Sequence, residues 1–160
     1  MSYVSSSLIS GEEVKHWGKV HYFIFLKPVI LGFITVAIII SAMANKMPEA
    51  ALFSVVFAIP GFIYFIQSII WYFTTEYAIT DRRIILKTGL ISRKASELFL
   101  NKAEGLKIDQ GIIGRIFNYG TISMDGTGGT KDNYRYLYAP MLFRKRMNEF
   151  VEAANKAQKS

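Results

Sequence analysis

Two long apolar stretches constrain this chain more than any other feature of its sequence. The first covers residues 23–45 with Lys27 as its one charge, and the second covers residues 50–75 without any charge. A helix rising about 1.5 Å per residue needs roughly 20 apolar residues to cross the hydrocarbon core of a bilayer, and it satisfies its own backbone hydrogen bonds. We therefore predict transmembrane helices over residues 23–45 and 50–75, with a bend at Pro60 in the second.

The alternatives to two membrane helices explain the sequence less well. A soluble core with two buried helices is one of them, but apolar runs of this length are rare outside membranes. A cleaved signal peptide is another. The first run begins after residue 22, follows a polar segment and has no small-residue cleavage site before a mature domain.

The distribution of basic residues predicts the orientation of the two helices. Residues 46–49 form the only link between them, which predicts a short external loop and an antiparallel hairpin. This loop contains one basic residue, whereas residues 76–95 contain five. Since basic residues accumulate in cytoplasmic segments, both termini are expected in the cytoplasm and the hairpin in the inner membrane. Residues 1–22 are then a cytoplasmic or interfacial segment, and part of the formal charge of +7 serves topology.

From residue 76 onward the apolar residues alternate with polar ones and turn residues recur at short intervals, which is typical of consecutive strands. The sequence predicts seven strands that curl into a meandering antiparallel sheet. They are Tyr77–Thr80, Ile84–Leu86, Leu90–Arg93, Ser96–Leu100, Leu106–Gln110, Gly120–Met124 and Tyr134–Tyr138.

Two segments of this region are predicted to be helical. Residues 111–118 break the alternation and predict a helical turn. Residues 141–157 place Phe143, Met147 and Phe150 at helical spacing after Ala139-Pro140, which predicts an amphipathic terminal helix that covers an open end of the sheet.

Within residues 77–129, three groups of residues form a signature. They are Tyr77, Ile79, Thr80, Asp81, Arg82 and Arg83, then Gly89 and Leu90, then Gln110, Gly114, Arg115 and Tyr119 to Thr121. This pattern resembles the bacterial pleckstrin-homology-like (PH-like) family often called the membrane-flanked or YdbS-like domain. The two apolar helices ahead of the domain fit that family, as does the pair Gly11-Glu12. The resemblance implies a PH-like barrel of seven strands with a capping helix, and it implies no catalytic residues.

The predicted fold class is therefore an α+β membrane protein. A two-helix transmembrane hairpin precedes a PH-like, seven-stranded antiparallel β-barrel or sandwich over residues 76–160, which a C-terminal α-helix caps. In the signature, we expect Asp81 to accept bonds from turn amides, Gly89 to adopt a positive φ and Gly120 to allow close backbone packing. We expect that Tyr77, Thr80, Gly114 and Tyr119 likewise maintain the fold and do not bind a ligand.

A basic cluster follows the second apolar run and is the main candidate for a functional surface. Its members are Arg82, Arg83, Lys87, Arg93 and Lys94. Residues in the first β-hairpins after a membrane can face anionic headgroups. Either these charges orient the helices during insertion, or they recognise a lipid or a phosphate group.

Other candidate sites have simpler explanations. The absence of cysteine excludes disulfides, thiolate metal sites and cysteine nucleophiles. The glycine-rich residues 126–131 lack the spacing of a phosphate-binding loop and lie between two strands, so we interpret them as a hairpin tip. His16 and His21 are five positions apart, which suits interfacial aromatic residues better than zinc or iron ligands. No catalytic, cofactor-binding or metal-binding residue is assigned.

Two further sets of residues have two interpretations each. Tyr134, Tyr136 and Tyr138 alternate on one strand, as in a packed sheet face or, less simply, a platform for stacked bases. The basic residues 144–146 at the start of the last helix are either solvated or in contact with lipid or a partner, because cations are unfavourable at a helix N-terminus.

These features favour a non-enzymatic, membrane-anchored PH-like module for binding or scaffolding at the inner face of the bacterial cytoplasmic membrane. Its expected partners are membrane lipids and either another protein or further copies of itself, with no small-molecule substrate. One alternative is an accessory subunit of a transporter or membrane enzyme complex. Nucleic-acid binding is a weaker alternative, because 15 basic residues oppose 9 acidic ones from residue 76 onward, a modest net charge of +6 that is spread along the segment.

Overall fold

The computed structural model describes residues 3–90, 94–100, 106–125 and 131–158. Two compact units make up the chain. Residues 22–73 form one of them, which we call the hairpin unit. The other, which we call the β unit, combines residues 1–21 with residues 74–160. The N-terminal segment, expected as a separate interfacial piece, therefore folds with the C-terminal half of the chain.

The hairpin unit consists of two long helices and two short ones. A single 3-10 turn, Tyr22–Phe25, leads into α2 (Leu26–Ala44), and α3 (Pro48–Leu52) precedes α4 (Ser54–Thr74). The two predicted apolar helices are thus confirmed. The second is interrupted at Phe53, so the residues ahead of it form the separate helix α3, and α4 runs through Pro60 as one helix.

Two contacts fix how α4 packs against α2 and against the 3-10 turn that precedes α2. The hydroxyl of Ser68 donates a hydrogen bond of 3.1 Å to the carbonyl oxygen of Ile24. Further along, a Cβ added to Gly61 would lie 3.2 Å from the Cβ of Leu31. From the first contact to the second, the chain advances by seven positions from Ile24 to Leu31 and goes back by seven positions from Ser68 to Gly61. The two helices are therefore antiparallel.

Most of the apolar side chains of the hairpin unit point outward. Both long helices have the length and composition needed to cross a membrane. In the most apolar 18-residue segment of each helix, however, only 11% and 17% of the segment is buried. Phe33, Phe62 and Phe73 are 72%, 67% and 76% exposed. A helix in the core of a soluble protein buries such side chains, so these faces require a nonaqueous surrounding or a partner.

The β unit contains seven strands in its described residues, arranged as two antiparallel sheets. The four-stranded sheet has the order β1-β2-β3-β4 and the three-stranded sheet the order β5-β6-β7. The strands are β1 (Val14–Gly18), β2 (Glu76–Thr80), β3 (Arg83–Thr88), β4 (Lys94–Phe99), β5 (Leu106–Asp109), β6 (Tyr119–Asp125) and β7 (Lys131–Tyr138). The helices of this unit are α1 (Tyr3–Ser7), α5 (Ile112–Phe117) and α6 (Pro140–Gln158).

Strand β1 was not expected from the sequence. It pairs antiparallel with β2, and Gly18 lies opposite Tyr77. The hairpin unit is therefore inserted between two neighbouring strands of one sheet. A Cβ on Gly18 would lie 2.8 Å from the Cβ of Tyr77 and 3.0 Å from Cδ1 of Leu137, so only glycine permits this close approach.

Six of the seven predicted strands are confirmed as β2 to β7. For the predicted strand Leu90–Arg93, Leu90 lies outside any strand and residues 91–93 lie outside the described residues. The described part of the chain still contains seven strands, because β1 was not among those predicted. The helical turn expected in residues 111–118 is α5, and the terminal helix is α6, with Pro140 as its first residue.

The chain after β1 joins the two sheets. Val20 forms an antiparallel bridge with Leu137, and the amide of Tyr138 donates a 2.8 Å hydrogen bond to the carbonyl oxygen of Lys19. The N-terminal segment thus pairs with β2 and then with β7. Between the sheets, the rings of Tyr77 and Tyr134 meet edge to face at 6.5 Å. Phe143 of α6 is 2% exposed and helps to close this core.

Candidate functional site

The structure separates the five basic residues of the predicted cluster. Arg82 and Lys94 are exposed, whereas Arg83 and Lys87 are buried. Arg93 lies outside the described residues. In the described part of the chain, these residues therefore do not form one exposed basic surface.

Burial of Arg83 and Lys87 follows from the N-terminal arm, residues 3–13. Side chains two apart on a strand share a face, so Arg83, Ile85 and Lys87 lie on the same face of β3. That face packs under the arm, where Val4 is fully buried with Ile85 and Ala78. Since the other face of β3 is in the core, all six of its residues are buried.

Arg83 is the centre of a buried ion-pair network. Its Nε and Nη2 atoms donate hydrogen bonds of 2.9 Å to the two carboxylate oxygens of Glu12. Nη1 donates a 2.5 Å bond to Glu97 on β4, and Nη2 also reaches the carbonyl oxygen of Ser7 at 2.7 Å. Such bidentate pairing is the strongest geometry available to an arginine and a carboxylate.

Glu12 has further partners. It accepts a bond of 2.9 Å from the backbone amide of Ile9, and the hydroxyl of Thr80 lies 2.7 Å from its Oε1 atom. Burial by itself raises the pKa of Glu12, but the hydrogen bonds from Arg83, Ile9 and Thr80 outweigh it and hold that pKa below its ordinary value. The hydrogen bond to Glu12 raises the pKa of Arg83 in turn. Both groups are therefore charged in the folded protein.

Lys87 occupies a second, smaller polar cluster. Its Nζ atom lies 3.9 Å from the carboxylate of Glu76. The same carboxylate accepts hydrogen bonds of 2.9 Å and 3.0 Å from the backbone amides of Tyr3 and Val4. Glu76 thus caps the first turn of α1, and carboxylates are favourable at that end of a helix. Arg83 thus binds the arm directly, whereas Lys87 pairs with the glutamate that binds it.

The strand register assigns the exposed basic residues to opposite ends of the β unit. We call the end where β1 finishes at Gly18 and β2 begins at Glu76 the attachment end, because the chain leaves for the hairpin unit and returns from it there. Thr88 pairs with Lys94, so Lys94 lies at the attachment end. Arg82 follows β2 in the turn at the far end, where its guanidinium is 4.0 Å from Asp81.

The signature residues have roles that the geometry makes explicit. Gly89 has a φ of +87°, in the region that favours glycine. Asp81 accepts a hydrogen bond of 3.0 Å from the amide of Glu13 and so links the β2–β3 turn to the N-terminal arm. Thr80 accepts a hydrogen bond of 2.9 Å from the amide of Arg83 and closes the same turn.

Aromatic and glycine members of the signature shape the core and the attachment end. The hydroxyl of Tyr77 donates a 2.7 Å bond to the carbonyl oxygen of Arg135, and burial raises the pKa of Tyr77. A Cβ on Gly114 would lie 2.5 Å from the carbonyl oxygen of Tyr119, and one on Gly120 would lie 2.9 Å from that of Asp109. Both glycines therefore permit close backbone contacts.

The two histidines belong to separate aromatic contacts. His16 lies 5.9 Å from the ring of Phe143, while His21 lies 5.5 Å from Tyr119 and 5.7 Å from Tyr138. Burial lowers the pKa of both histidines. Among the residues that the structure describes, no group of three histidine, aspartate or glutamate side chains is placed to hold a metal ion.

The three tyrosines of β7 do not share one face. Tyr134 is buried, and Tyr138 is 48% exposed. Between them, Tyr136 has a φ of +62°, and the pairing with β6 shifts register near Gly120. This irregularity breaks the alternation expected from the sequence. The predicted glycine-rich hairpin tip at residues 126–130 lies outside the described residues.

Comparison with known proteins gives one family. A family model described as a bacterial PH domain matches residues 23–156, which include all but the first residue of the hairpin unit and most of the β unit. Strand β1 lies ahead of the matched residues. Searches of the curated proteins and of the solved structures find no significant match.

Proposed function

This chain belongs to the bacterial PH domain family, and on that basis we propose that it is a non-enzymatic, membrane-anchored module for binding or scaffolding. In this proposal the hairpin unit spans the cytoplasmic membrane and the β unit lies at its inner face. The β unit recognises lipid headgroups together with a protein partner or a second copy of the chain.

One observation carries the proposal. Two helices long and apolar enough to span a membrane, with most of their side chains exposed, are inserted between the paired strands β1 and β2. A soluble protein gains nothing from exposing such helices to water, because the hydrophobic effect favours their burial. A bilayer satisfies both helices without any further protein.

The same insertion supports the proposed orientation. Because β1 and β2 belong to one sheet, the two ends of the hairpin unit are on the same side of any membrane that it crosses. The loop between α2 and α4 contains a single basic residue, Lys46, whereas basic residues are frequent on both flanks. The positive-inside rule then favours the cytoplasm for the β unit and for both termini.

Lys94 is the member of the predicted basic cluster that best fits a headgroup contact. It is exposed and lies at the attachment end, and Arg93 precedes it in the sequence. A basic residue near an anionic leaflet gains about 1 kcal/mol. Arg82 is exposed at the far end, where a protein partner is the better match.

Native mass spectrometry of the full-length chain extracted in mild detergent tests this function. We expect retained anionic phospholipid together with a homo-oligomer or a defined partner, and we expect Lys94→Ser to retain less lipid than Arg82→Ser. A clean monomer without any lipid preference contradicts the proposal.

A second candidate function is that of an accessory subunit in a transporter or membrane enzyme complex. The exposed faces of α2 and α4 favour it, since they offer surface for other membrane helices. Cross-linking from single cysteines on the hairpin unit distinguishes the two functions. A specific hetero-complex held through the helices supports the accessory subunit, and cross-links to lipid or to further copies support the binding module.

A further inference from the structure

Exposed apolar side chains of the β unit are concentrated at its attachment end. Ile112 and Ile116 of α5 are 79% and 72% exposed, and Met141 and Leu142 of α6 are 52% and 49% exposed. We call these four residues, together with the exposed Ile113 and Phe117, the apolar patch. Clustered apolar surface of this kind marks an interaction site in a soluble domain.

The two parts of the apolar patch are held together by the backbone. Helix α5 connects β5 to β6, and its last turn ends at Asn118 in the left-handed conformation. The carbonyl oxygen of Asn118 accepts a hydrogen bond of 2.9 Å from the amide of Ala139, directly before α6. The end of α5 and the beginning of α6 are therefore neighbours.

His21 connects this surface to the hairpin unit through the chain. Its amide donates a 2.6 Å hydrogen bond to the carbonyl oxygen of Tyr136, and its ring lies against Tyr119 and Tyr138. The side chain also bonds to the backbone of Phe117, a member of the patch. Tyr22, the next residue, begins the 3-10 turn that leads into α2, and consecutive Cα atoms are about 3.8 Å apart. The patch thus lies beside the point where the chain leaves the β unit.

We propose that the apolar patch inserts into the interfacial layer of the lipid bilayer and that its occupant is lipid. The inference rests on the proposed function, since it requires the first apolar helix to enter a membrane directly after His21. His21 is then close to headgroup depth, and so is Phe117 of the patch, which contacts it; apolar side chains at this depth reach acyl chains.

The charges around the apolar patch agree with this occupant. Arg115 is exposed between Ile113 and Ile116, and Arg144 and Lys145 are exposed just after Leu142. Apolar side chains bordered by basic ones are typical of helices that lie in the interface of anionic membranes. The same arrangement explains why cations occupy the first turns of α6, where the helix dipole disfavours them.

The natural absence of cysteine makes a direct test possible. The full-length chain carries one cysteine, labelled with an environment-sensitive fluorophore, in nanodiscs of phosphatidylcholine and phosphatidylglycerol that contain lipid-borne quenchers. Ile116→Cys probes the apolar patch. Phe99→Cys is the matched control, because Phe99 is 53% exposed and pairs with Arg83 at the far end. Phe33→Cys reports on the hairpin unit.

We expect quenching at position 116 to exceed that at position 99 by about threefold or more. If position 33 is quenched and position 116 behaves like position 99, the inference fails while the membrane anchor stands. If position 116 is protected from aqueous iodide without any lipid quenching, protein covers the patch and the inference also fails. Absence of quenching at position 33 overturns the proposed function and the inference together.

Discussion

Glu12 and Arg83 are 71 positions apart in the chain, yet they form a buried, bidentate ion pair with two hydrogen bonds of 2.9 Å. The whole hairpin unit lies between them in sequence. The pair therefore joins the residues before the apolar helices to those after them, and with Glu76 it holds the N-terminal arm on the outer face of β3. Removing one partner of a buried pair costs about 3–5 kcal/mol, because the other charge stays buried without compensation.

We predict that Arg83→Met destabilises the β unit by about 3–5 kcal/mol. The measurement is denaturant unfolding of the full chain in detergent, followed by the near-ultraviolet signal of the buried tyrosines. Arg82→Met is the matched control, because this neighbouring arginine is half exposed and we expect a change of about 0.5 kcal/mol or less. Equal effects of the two substitutions contradict a structural role for the Arg83 network.

A pH dependence follows from the lowered pKa of Glu12. A carboxyl group whose pKa is lower in the folded state contributes stability that is complete above its unfolded pKa and is lost as pH falls through the folded value. We therefore expect the stability difference between the natural chain and Glu12→Gln to be largest at neutral pH and to shrink below about pH 4. Both chains contain His16 and His21, so their titration cancels in the difference. A difference that stays constant with pH rules out this role for Glu12.

Gly114 and Gly111 provide a matched pair of substitutions around α5. A Cβ on Gly114 would meet the carbonyl oxygen of Tyr119 at 2.5 Å, whereas one on Gly111 would meet nothing within 4 Å. Gly111 is the N-cap of α5, where alanine is less favourable than glycine. We predict that Gly114→Ala costs about 1–3 kcal/mol, because backbone has to move, and that Gly111→Ala costs only about 0.5 kcal/mol. Thermal unfolding compares the two variants, and the reverse order of stabilities would disprove the close approach.

The pairing of β1 with β2 predicts that the hairpin unit can be replaced. Gly18 lies opposite Tyr77, so a short glycine-serine linker in place of residues 22–73 spans the gap between the two strands. We expect this chain to unfold cooperatively, as measured by circular dichroism. Residues 74–160 alone lack β1 and the arm over Arg83, and we expect them to remain unfolded or to aggregate. If both chains fold equally well, β1 is not needed for the stability of the β unit and the prediction is wrong.

Local signals in the sequence were sufficient for the hairpin unit and for most of the β unit. The apolar helices are visible because each one contains its whole signal within about 20 residues. Strands β2 to β7 alternate with turns over short distances, and Pro140 marks the start of α6. The alternation of apolar and polar residues did not predict that Arg82 and Lys94 lie at opposite ends of the β unit, because their positions depend on strand register.

Strand β1 and the burial of Arg83 were missed for one physical reason. Both depend on pairing between segments that the hairpin unit separates in sequence, and neither segment carries that information alone. Lys15, His16 and Trp17 have the composition of a segment at a membrane interface. Arg83 directly follows Arg82, and two consecutive arginines suggest a position on the protein surface. The pair Gly11-Glu12 was the available signal, because the family resemblance already linked residues ahead of the first apolar helix with the domain that follows the second.

The most direct test of the account is the accessibility of single cysteines in intact bacterial cells. Ser10→Cys and Asn148→Cys lie in the β unit, and Met47→Cys lies between α2 and α4; all three positions are exposed. We predict that a membrane-impermeant maleimide labels position 47 in intact cells and labels positions 10 and 148 only after lysis. Labelling of position 10 or 148 in intact cells, or protection of position 47, would contradict a hairpin that crosses the membrane twice and returns to the same sheet.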